Sequence, residues 1–573
     1  MNITLNLCPR FTRESSLLWS GLPPSVNTRQ MSTTSIFEAQ KMMPTKLPTF
    51  SDGNSKFRLF RWRVVSVYRI LFSIVWSANM IALAIYCQQH FRNGISIMDQ
   101  NTQIMVLENI QTAVAANLLA AISLRNEHVV NILYRIFVTH TPSNRPLWLR
   151  RLFAKLYCYG GVHSGCGVSA ASWYLLLTVA TLFNQPPSKV QAQLLSSLSI
   201  FIGVLLMVMI VCAMPYVRTR AHNLFELVHR FVGWSIQGLV WVQVIIFAVV
   251  VSKAKNENIG FTLAKLPAFW FLSIILGFTL YPWLRLRRVK VRVEKLSKDV
   301  VRIWFDGHTK PARTIRISDH PTMESHAFAT IPELTGETSF SSIITNAGDW
   351  TNRLITNPPE KVWIRGVYAW GVLRVATLFK RVVVVTTGSG IGPCLSLFTG
   401  YPEVLCRVLW STKTPEETYG KKILDSVFHA DPNALIIDTK EKGRQDMVQL
   451  CHGLYTESNA EAVIVISNPG LTYKVVFGLE SKGIPAYGPI WDSWRNWSQF
   501  RVHIQMSQSQ FWCLASFLES FFKPRSHTTR RKTLTEPFQP MGISSHHKLY
   551  FFFDIGPRHD CCAQAIFFGR RST

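Results

Sequence analysis

The 573-residue chain is short of acid: 33 aspartates and glutamates face 61 lysines and arginines, for a formal charge of +28. No basic stretch is interleaved with aromatics as a nucleic-acid module requires, so nucleic acid is not an expected partner. A paired CxxC spacing is also lacking. The eleven cysteines are scattered without a CxxC spacing, which indicates neither a zinc site nor a disulfide framework. Met1 to Phe60 has no short apolar core followed by a cleavage site, so it reads as a disordered cytosolic arm rather than a signal peptide.

What is abundant is long apolar sequence. Val64 to Gln88, Met105 to Leu124, Cys166 to Phe183, Leu195 to Tyr216, Phe231 to Val251 and Leu266 to Leu284 are each long enough for a bilayer core of about 30 Å. The second carries Glu108 and Gln111 and is marginal on hydropathy, with a buried or half-inserted helix as its alternative. Basic residues orient the set. Arg58, Arg61 and Arg63 precede the first segment, Arg125 to Lys155 crowd the second connection, and Arg285 to Arg292 follow the last. Both termini and the even connections are therefore expected on the cytosolic side of a membrane whose identity the residues do not give. Lys253, Lys255 and Lys265 in the fifth connection disagree. Basic flanks against anionic lipid account for much of the charge.

After the last apolar segment the pattern changes. VKVRVEKLSKDVVRIWFDG, from Val289, alternates apolar and polar residues as half-exposed antiparallel strands do. A small β-barrel is the natural expectation. From Arg381 the chain reads RVVVVTTGSGIGPCLSLF, an apolar strand breaking into a glycine turn and resuming as a helix. Glycines at 388, 390 and 392 let backbone amides approach a phosphate, and the helix behind them points its positive end at that anion. Pro393 suits the first helical turn. Further strands at Glu403 to Trp410, Ala434 to Asp438 and Ala462 to Ile466 alternate with polar helical stretches, which predicts a parallel α/β domain. Ser411, Thr412 and Lys413 follow the second strand, where an acid would favour NADH; a lysine favours NADPH.

The order of parts, with HAFATIP, AGDWT, TTGSGIGPC and AYGPIWDS, resembles the ferric reductase and NADPH oxidase superfamily with its ferredoxin-reductase-type module. Within it, the chain is similar to fungal integral membrane flavin oxidoreductases linked to asexual development, whose reductase module has relatives fused to adenylate-forming enzymes. The resemblance implies FAD and NADPH or NADH as cofactors. His326, Phe328 and Thr330 would lie along the FAD, with Arg316 and Ser318 at its phosphates. Gly388, Ser389, Gly390, Gly392 and Pro393 would cradle the nicotinamide nucleotide, and Ser411, Thr412 and Lys413 its adenosine end. Where the family commonly has Cys-Gly-Pro, this chain has Ser467, Asn468, Pro469 and Gly470.

Ferric reductases also carry histidine pairs that hold two hemes. Here His163 and His229 stand at the cytosolic ends of the third and fifth segments, which leaves one inner heme b open, with an interfacial polar role as the alternative. Leu177 and Gln243 occupy the outer positions, so a two-heme relay is not expected.

The expected fold class is multidomain: a six-helix transmembrane bundle (61–285), an antiparallel β-barrel FAD domain (286–379) and a parallel α/β nucleotide-binding domain (380–494). The arm (1–60) precedes them, and a tail (495–573), disordered or a read-through of noncoding sequence, follows. The expected function is a membrane-anchored flavin oxidoreductase passing hydride from NAD(P)H to FAD and on to an acceptor, unidentified, on the cytosolic side. A heme-containing transmembrane ferric reductase or NADPH oxidase, and a non-enzymatic scaffold or sensor retaining the fold, are its alternatives. Its partners would be the nucleotide, the lipid bilayer and that acceptor.

Overall fold

The computed structural model describes residues 66–91, 99–183, 188–322, 325–333 and 338–489. The expected arm and tail lie outside the described residues.

Among the described residues, six helical segments are long and apolar enough to cross a membrane. The first two are α1 (Val67–Phe91) and α2 (Gln100–Ser123). Two short helices follow, α3 (Glu127–Tyr134) and α4 (Leu147–Phe153), and then the long α5 (Gly160–Phe183), α6 (Lys189–Ala213), α7 (His222–Lys255) and α8 (Pro267–Leu284). The Asp99 carboxylate caps α2 by accepting from the Asn101 and Thr102 amides at 3.1 and 3.2 Å, which satisfies donors that would otherwise be orphaned. Its marginal hydropathy has a packing counterpart: Ile104, Val106, Ile110, Gln111 and Val114 are all buried. Helix α7 begins well before Phe231, because the polar residues that lower its hydropathy, Glu226, His229 and Arg230, still lie on helical backbone.

Small residues let α5 press against α1. A Cβ on Gly161 would sit 2.1 Å from the Tyr68 carbonyl oxygen, and one on Gly165 3.0 Å from that of Phe72. This is the small-xxx-small spacing that brings helix backbones together where apolar burial alone does not discriminate.

The antiparallel part departs from the expected barrel. Its strands are β1 (Arg287–Lys290), β2 (Arg292–Lys295), β3 (Val300–Asp306), β4 (Arg313–Ser318), β5 (His326–Ala329), β6 (Ile331–Pro332), β7 (Ser339–Thr345) and β8 (Lys361–Trp370). They form two four-stranded sheets, ordered β1-β8-β4-β5 and β2-β3-β7-β6, without closing. The chain crosses from one sheet to the other at Val291 and again at Thr330, where the ladder breaks. Alternation along β3 and β4 turns Val301, Ile303, Phe305, Ile315 and Ile317 into a shared core, with Trp350 of helix α9 (Asp349–Thr356) packed in it.

The parallel part matches its pattern. β9 (Arg381–Thr387), β10 (Leu405–Thr412), β11 (Leu435–Asp438), β12 (Ala462–Ile466) and β13 (Ala486–Tyr487) form one sheet ordered β11-β10-β9-β12-β13. Val382, Val383, Val384 and Val385 are buried on both faces, as a central parallel strand requires. Helix α10 (Ile391–Gly400) follows β9, and α11 (Pro469–Glu480) follows β12.

Candidate nucleotide site

The turn after β9 is a tight 3-10 turn, Gly388–Gly390, running into α10. Gly388 has φ +50, a left-handed conformation that suits glycine. Its carbonyl accepts from the Trp410 indole at 3.1 Å, and Trp410 packs edge-on against Tyr419. Burial pushes the Tyr419 phenol up to about 12, with Thr412 acting against the shift. Trp410 and Tyr419 thus floor the turn, and sequence reasoning missed both; an indole just before Ser411 and Thr412 was the available signal.

The need for glycine at 390 differs from the expected one. A Cβ there would lie 2.4 Å from the Ile466 carbonyl oxygen and 2.4 Å from Thr386 Oγ1. The close approach is to the end of β12, so Gly390 packs the sheet before it admits any phosphate. A Cβ on Gly392 would meet the Ile343 Cβ at 3.2 Å, which sets the first turn of α10, with Pro393 inside it, against β7. Ser389 lies in the turn itself.

Parallel register gathers the other predicted residues at the same edge. Ser411 pairs with Thr387, and Ile466 with Thr386. Thr387 and Ser467 are joined through their hydroxyls. Ser411 and Thr412 are buried and Lys413 is exposed. Asp438 also stands at this edge, its Oδ1 accepting from the backbone amides of Thr414 and Lys440 at 3.0 and 2.8 Å. Asn468 caps α11 by accepting from the Leu471 amide at 3.0 Å. Among the described residues, the edge therefore offers a glycine turn, hydroxyls and the exposed Lys413.

The residues expected around FAD do not converge. His326 pairs with Ile317 and Phe328 with Ile315, so both point into the core, where Trp350 stacks on Phe328 at 5.8 Å and lies 4.6 Å from the His326 ring. Arg316 pairs with Ala327 and so faces the other way; its Nε lies 3.3 Å from a Glu127 carboxylate oxygen. Ser318 donates to the His320 carbonyl at 2.6 Å. Thr330, at the corner between sheets, is 3.1 Å from the Thr309 hydroxyl and donates to the Arg313 carbonyl at 3.3 Å. Alternation of side chains along β4 and β5 separates the set onto two faces.

His163 and His229 are brought together, ring centroids 6.3 Å apart and planes at 61°. The Ala121 carbonyl lies 2.9 Å from His163 Nδ1. Gln243 is occupied otherwise, accepting from Tyr174 and donating to Ser199, each at 2.8 Å. Among the described residues, no group of three or more His, Cys, Asp or Glu could hold a metal ion.

The least anticipated feature is the segment between α2 and α5, which grips the sheets. Asn131 pairs with the backbone of β8, donating to the Tyr368 carbonyl at 2.9 Å and accepting from the Trp370 amide at 3.1 Å. Glu127 accepts from the Val367 amide at 3.2 Å. Arg150 donates to both carboxylate oxygens of Glu461, at 3.0 Å each, and to the Leu378 carbonyl at 2.9 Å. The crowding of basic residues there carried the signal, but only for membrane orientation.

This arrangement has relatives. Residues 372–493 match the family model for the C-terminal domain of adenylate-forming reductase 03009. The chain is 42% identical over 439 residues to adenylate-forming reductase 03009 of Coprinopsis cinerea, across 76% of this chain and 41% of that protein. It is 40% identical over 439 residues to adenylate-forming reductase 06235 of the same fungus, again across 76% and 41%. The chain thus spans about two fifths of the length of the curated relatives it matches. Among solved structures, a flavohemoglobin from Malassezia yamatoensis with bound FAD and heme aligns at TM-score 0.34 and 14% identity, over 66% of this chain and 98% of that one. A ferredoxin NADP+ reductase from Neisseria gonorrhoeae with bound FAD and NADP aligns at 0.29 and 14%, over 36% and 99%.

These matches overturn the expected function. Both curated relatives are named adenylate-forming reductases, a different activity from a membrane-anchored flavin oxidoreductase serving a cytosolic acceptor. Neither is named as a ferric reductase or an NADPH oxidase.

Proposed function

We propose that this chain supplies the reductive half of an adenylate-forming reductase: it uses NADPH to reduce an acyl group that adenylate formation has activated. The observation that carries the reading is the switch point of the parallel sheet. β10 and β12 flank β9 on opposite sides, and open α/β sheets bind ligands beyond the carboxyl ends of their strands at such a point. The glycine turn opens there, Ser411, Thr412 and Ser467 line the same edge, and the exposed Lys413 suits a ribose phosphate. In the proposed reaction hydride from the dihydronicotinamide adds to the acyl carbon. The bond from that carbon to the adenylate oxygen breaks, AMP leaves with the electron pair, and an aldehyde and oxidised nucleotide remain. FAD, implied by the resemblance, lacks a joint seat among Arg316, Ser318, His326, Phe328 and Thr330, so no step runs through it.

The six apolar helices are read as crossing a bilayer, with the α3–α4 segment and both sheet domains on the cytosolic face by the placement of Lys and Arg.

The test is to incubate the full chain, in detergent, with NADPH and a synthetic acyl adenylate. Aldehyde and AMP released in equal amounts as NADPH is oxidised is the expected result. NADPH that binds yet is not consumed overturns the reductive step, and NADPH that fails to bind overturns the site.

A further inference from the structure

Four nitrogen donors with no partner among the described residues lie around one indole: Arg374 Nε and Nη1, Arg313 Nε and Trp370 Nε1. Arg374 is only 7% exposed. Its guanidinium sits 5.3 Å from the Trp370 ring and 4.6 Å from that of Tyr401, and Arg313 sits 4.8 Å from the same Trp370 ring. One Arg374 bond is made, from Nη2 to the Thr139 hydroxyl at 3.1 Å. Neither guanidinium has a carboxylate at ion-pair distance among the described residues.

Arginine does not shed its proton in proteins, so this is a pair of buried or half-buried cations without an ion pair among the described residues; the charge of Glu403 acts on Arg374 only from beyond ion-pair distance. Burial pulls both below the ordinary guanidinium value, and for Arg313 the charge of Arg374 adds to the pull. A protein seldom leaves a buried charge uncompensated, because desolvating it is costly unless an opposite charge and hydrogen bonds replace the water. Donors without acceptors, two of them planar forks, match the oxygens of a phosphate group.

We propose that Arg313, Arg374 and the Trp370 indole form a binding site for a phosphate group. The site sits where β4 begins, β8 ends and the Val372–Leu378 turn leads into the parallel domain. Tyr401 follows the C-terminal end of α10, whereas the glycine turn precedes its N-terminal end, a helix length of about 15 Å away. One pyrophosphate does not serve both places. The assignment goes beyond the reading of the glycine turn and does not rest on it.

The test measures thermal unfolding of the full chain in detergent while inorganic phosphate replaces chloride at constant ionic strength. The unmodified protein should gain about 3 °C, and the gain should vanish in both Arg374→Met and Arg313→Met. Without phosphate, Arg374→Met should unfold no lower than the parent, since it removes a buried charge that has no ion pair among the described residues. Absence of a phosphate-specific gain in the parent, or a gain retained in both variants, overturns the proposal. FMN and NADPH, run as separate arms, distinguish the sources: the one whose gain is lost in Arg374→Met carries the phosphate concerned. An NADPH gain that survives in Arg374→Met, beside a lost inorganic-phosphate gain, supports this site and leaves the glycine-turn reading standing.

Discussion

Arg150 and Glu461, 311 positions apart, meet as a two-pronged ion pair with both contacts at 3.0 Å. Arg150 is 5% exposed, and Lys380 donates its amide to the same carboxylate at 2.6 Å. The helical segment before α5 is thereby fixed to the loop that opens β12.

Removing the carboxylate should leave Arg150 as an unpaired buried charge. Glu461→Gln is expected to cost about 3 kcal/mol, the low end for a buried pair with one partner removed. Chemical unfolding of the two proteins measures it. Burial raises the Glu461 carboxyl, but the Arg150 hydrogen bonds, the Lys380 amide and the charges of Arg150 and Arg381 together hold it below its ordinary value. A depressed folded value gives stability that is complete above the unfolded value of about 4.3 and is lost as pH falls through the folded one. Glu461→Gln should therefore flatten the acid side of the stability profile. An unchanged acid slope would remove Glu461 as its source.

Gly390→Ala should injure the sheet before it injures binding. Its new Cβ would lie 2.4 Å from a backbone oxygen of β12, and backbone does not yield as a flexible side chain does. The expected result is a fall in unfolding temperature with nucleotide affinity lost in parallel. Full stability with affinity alone abolished would restore the phosphate as the reason for this glycine.

The parallel domain was legible because each of its parts is local: a β-branched run, a glycine turn, and strands spaced by helices. Ala462–Ile466 has the same bounds in sequence and structure. The open antiparallel sheets were not legible, since alternation gives the faces of β3 and β4 but not whether their edges meet. The faces taken by the residues expected around FAD were not legible for the same reason. His326 and Phe328 were assigned with Arg316, yet their register with Ile317 and Ile315 turns them to the opposite face. Asn131 and Glu127 were invisible altogether, for their partners on β8 lie 237 or more positions away.

Lys413→Glu should move nucleotide preference from NADPH toward NADH. The side chain is exposed at the carboxyl edge of β10, so the change removes the cation proposed to meet a ribose phosphate and adds repulsion without disturbing the core. Discrimination is expected to shift by roughly tenfold, about 1.4 kcal/mol, read as the ratio of dissociation constants. An unchanged ratio would make Lys413 an ordinary solvated residue.

Gly366 and Glu127 allow a sharper test of the α3 contact with β8. Gly366 has φ +71, and a Cβ on it would stand 2.3 Å from Glu127 Oε2. Gly366→Ala thus combines a left-handed backbone penalty of about 1–2 kcal/mol with displacement of the carboxylate. Glu127→Ala alone should cost roughly 1 kcal/mol or less through its Arg316 pair, because Arg316 is 42% exposed and such pairs are screened. The double variant has no carboxylate left to displace, so its cost should fall short of the sum of the single costs. Chemical unfolding of the four proteins measures the difference. Strict additivity would mean that the carboxylate moves aside freely and that α3 is held to β8 by Asn131 instead.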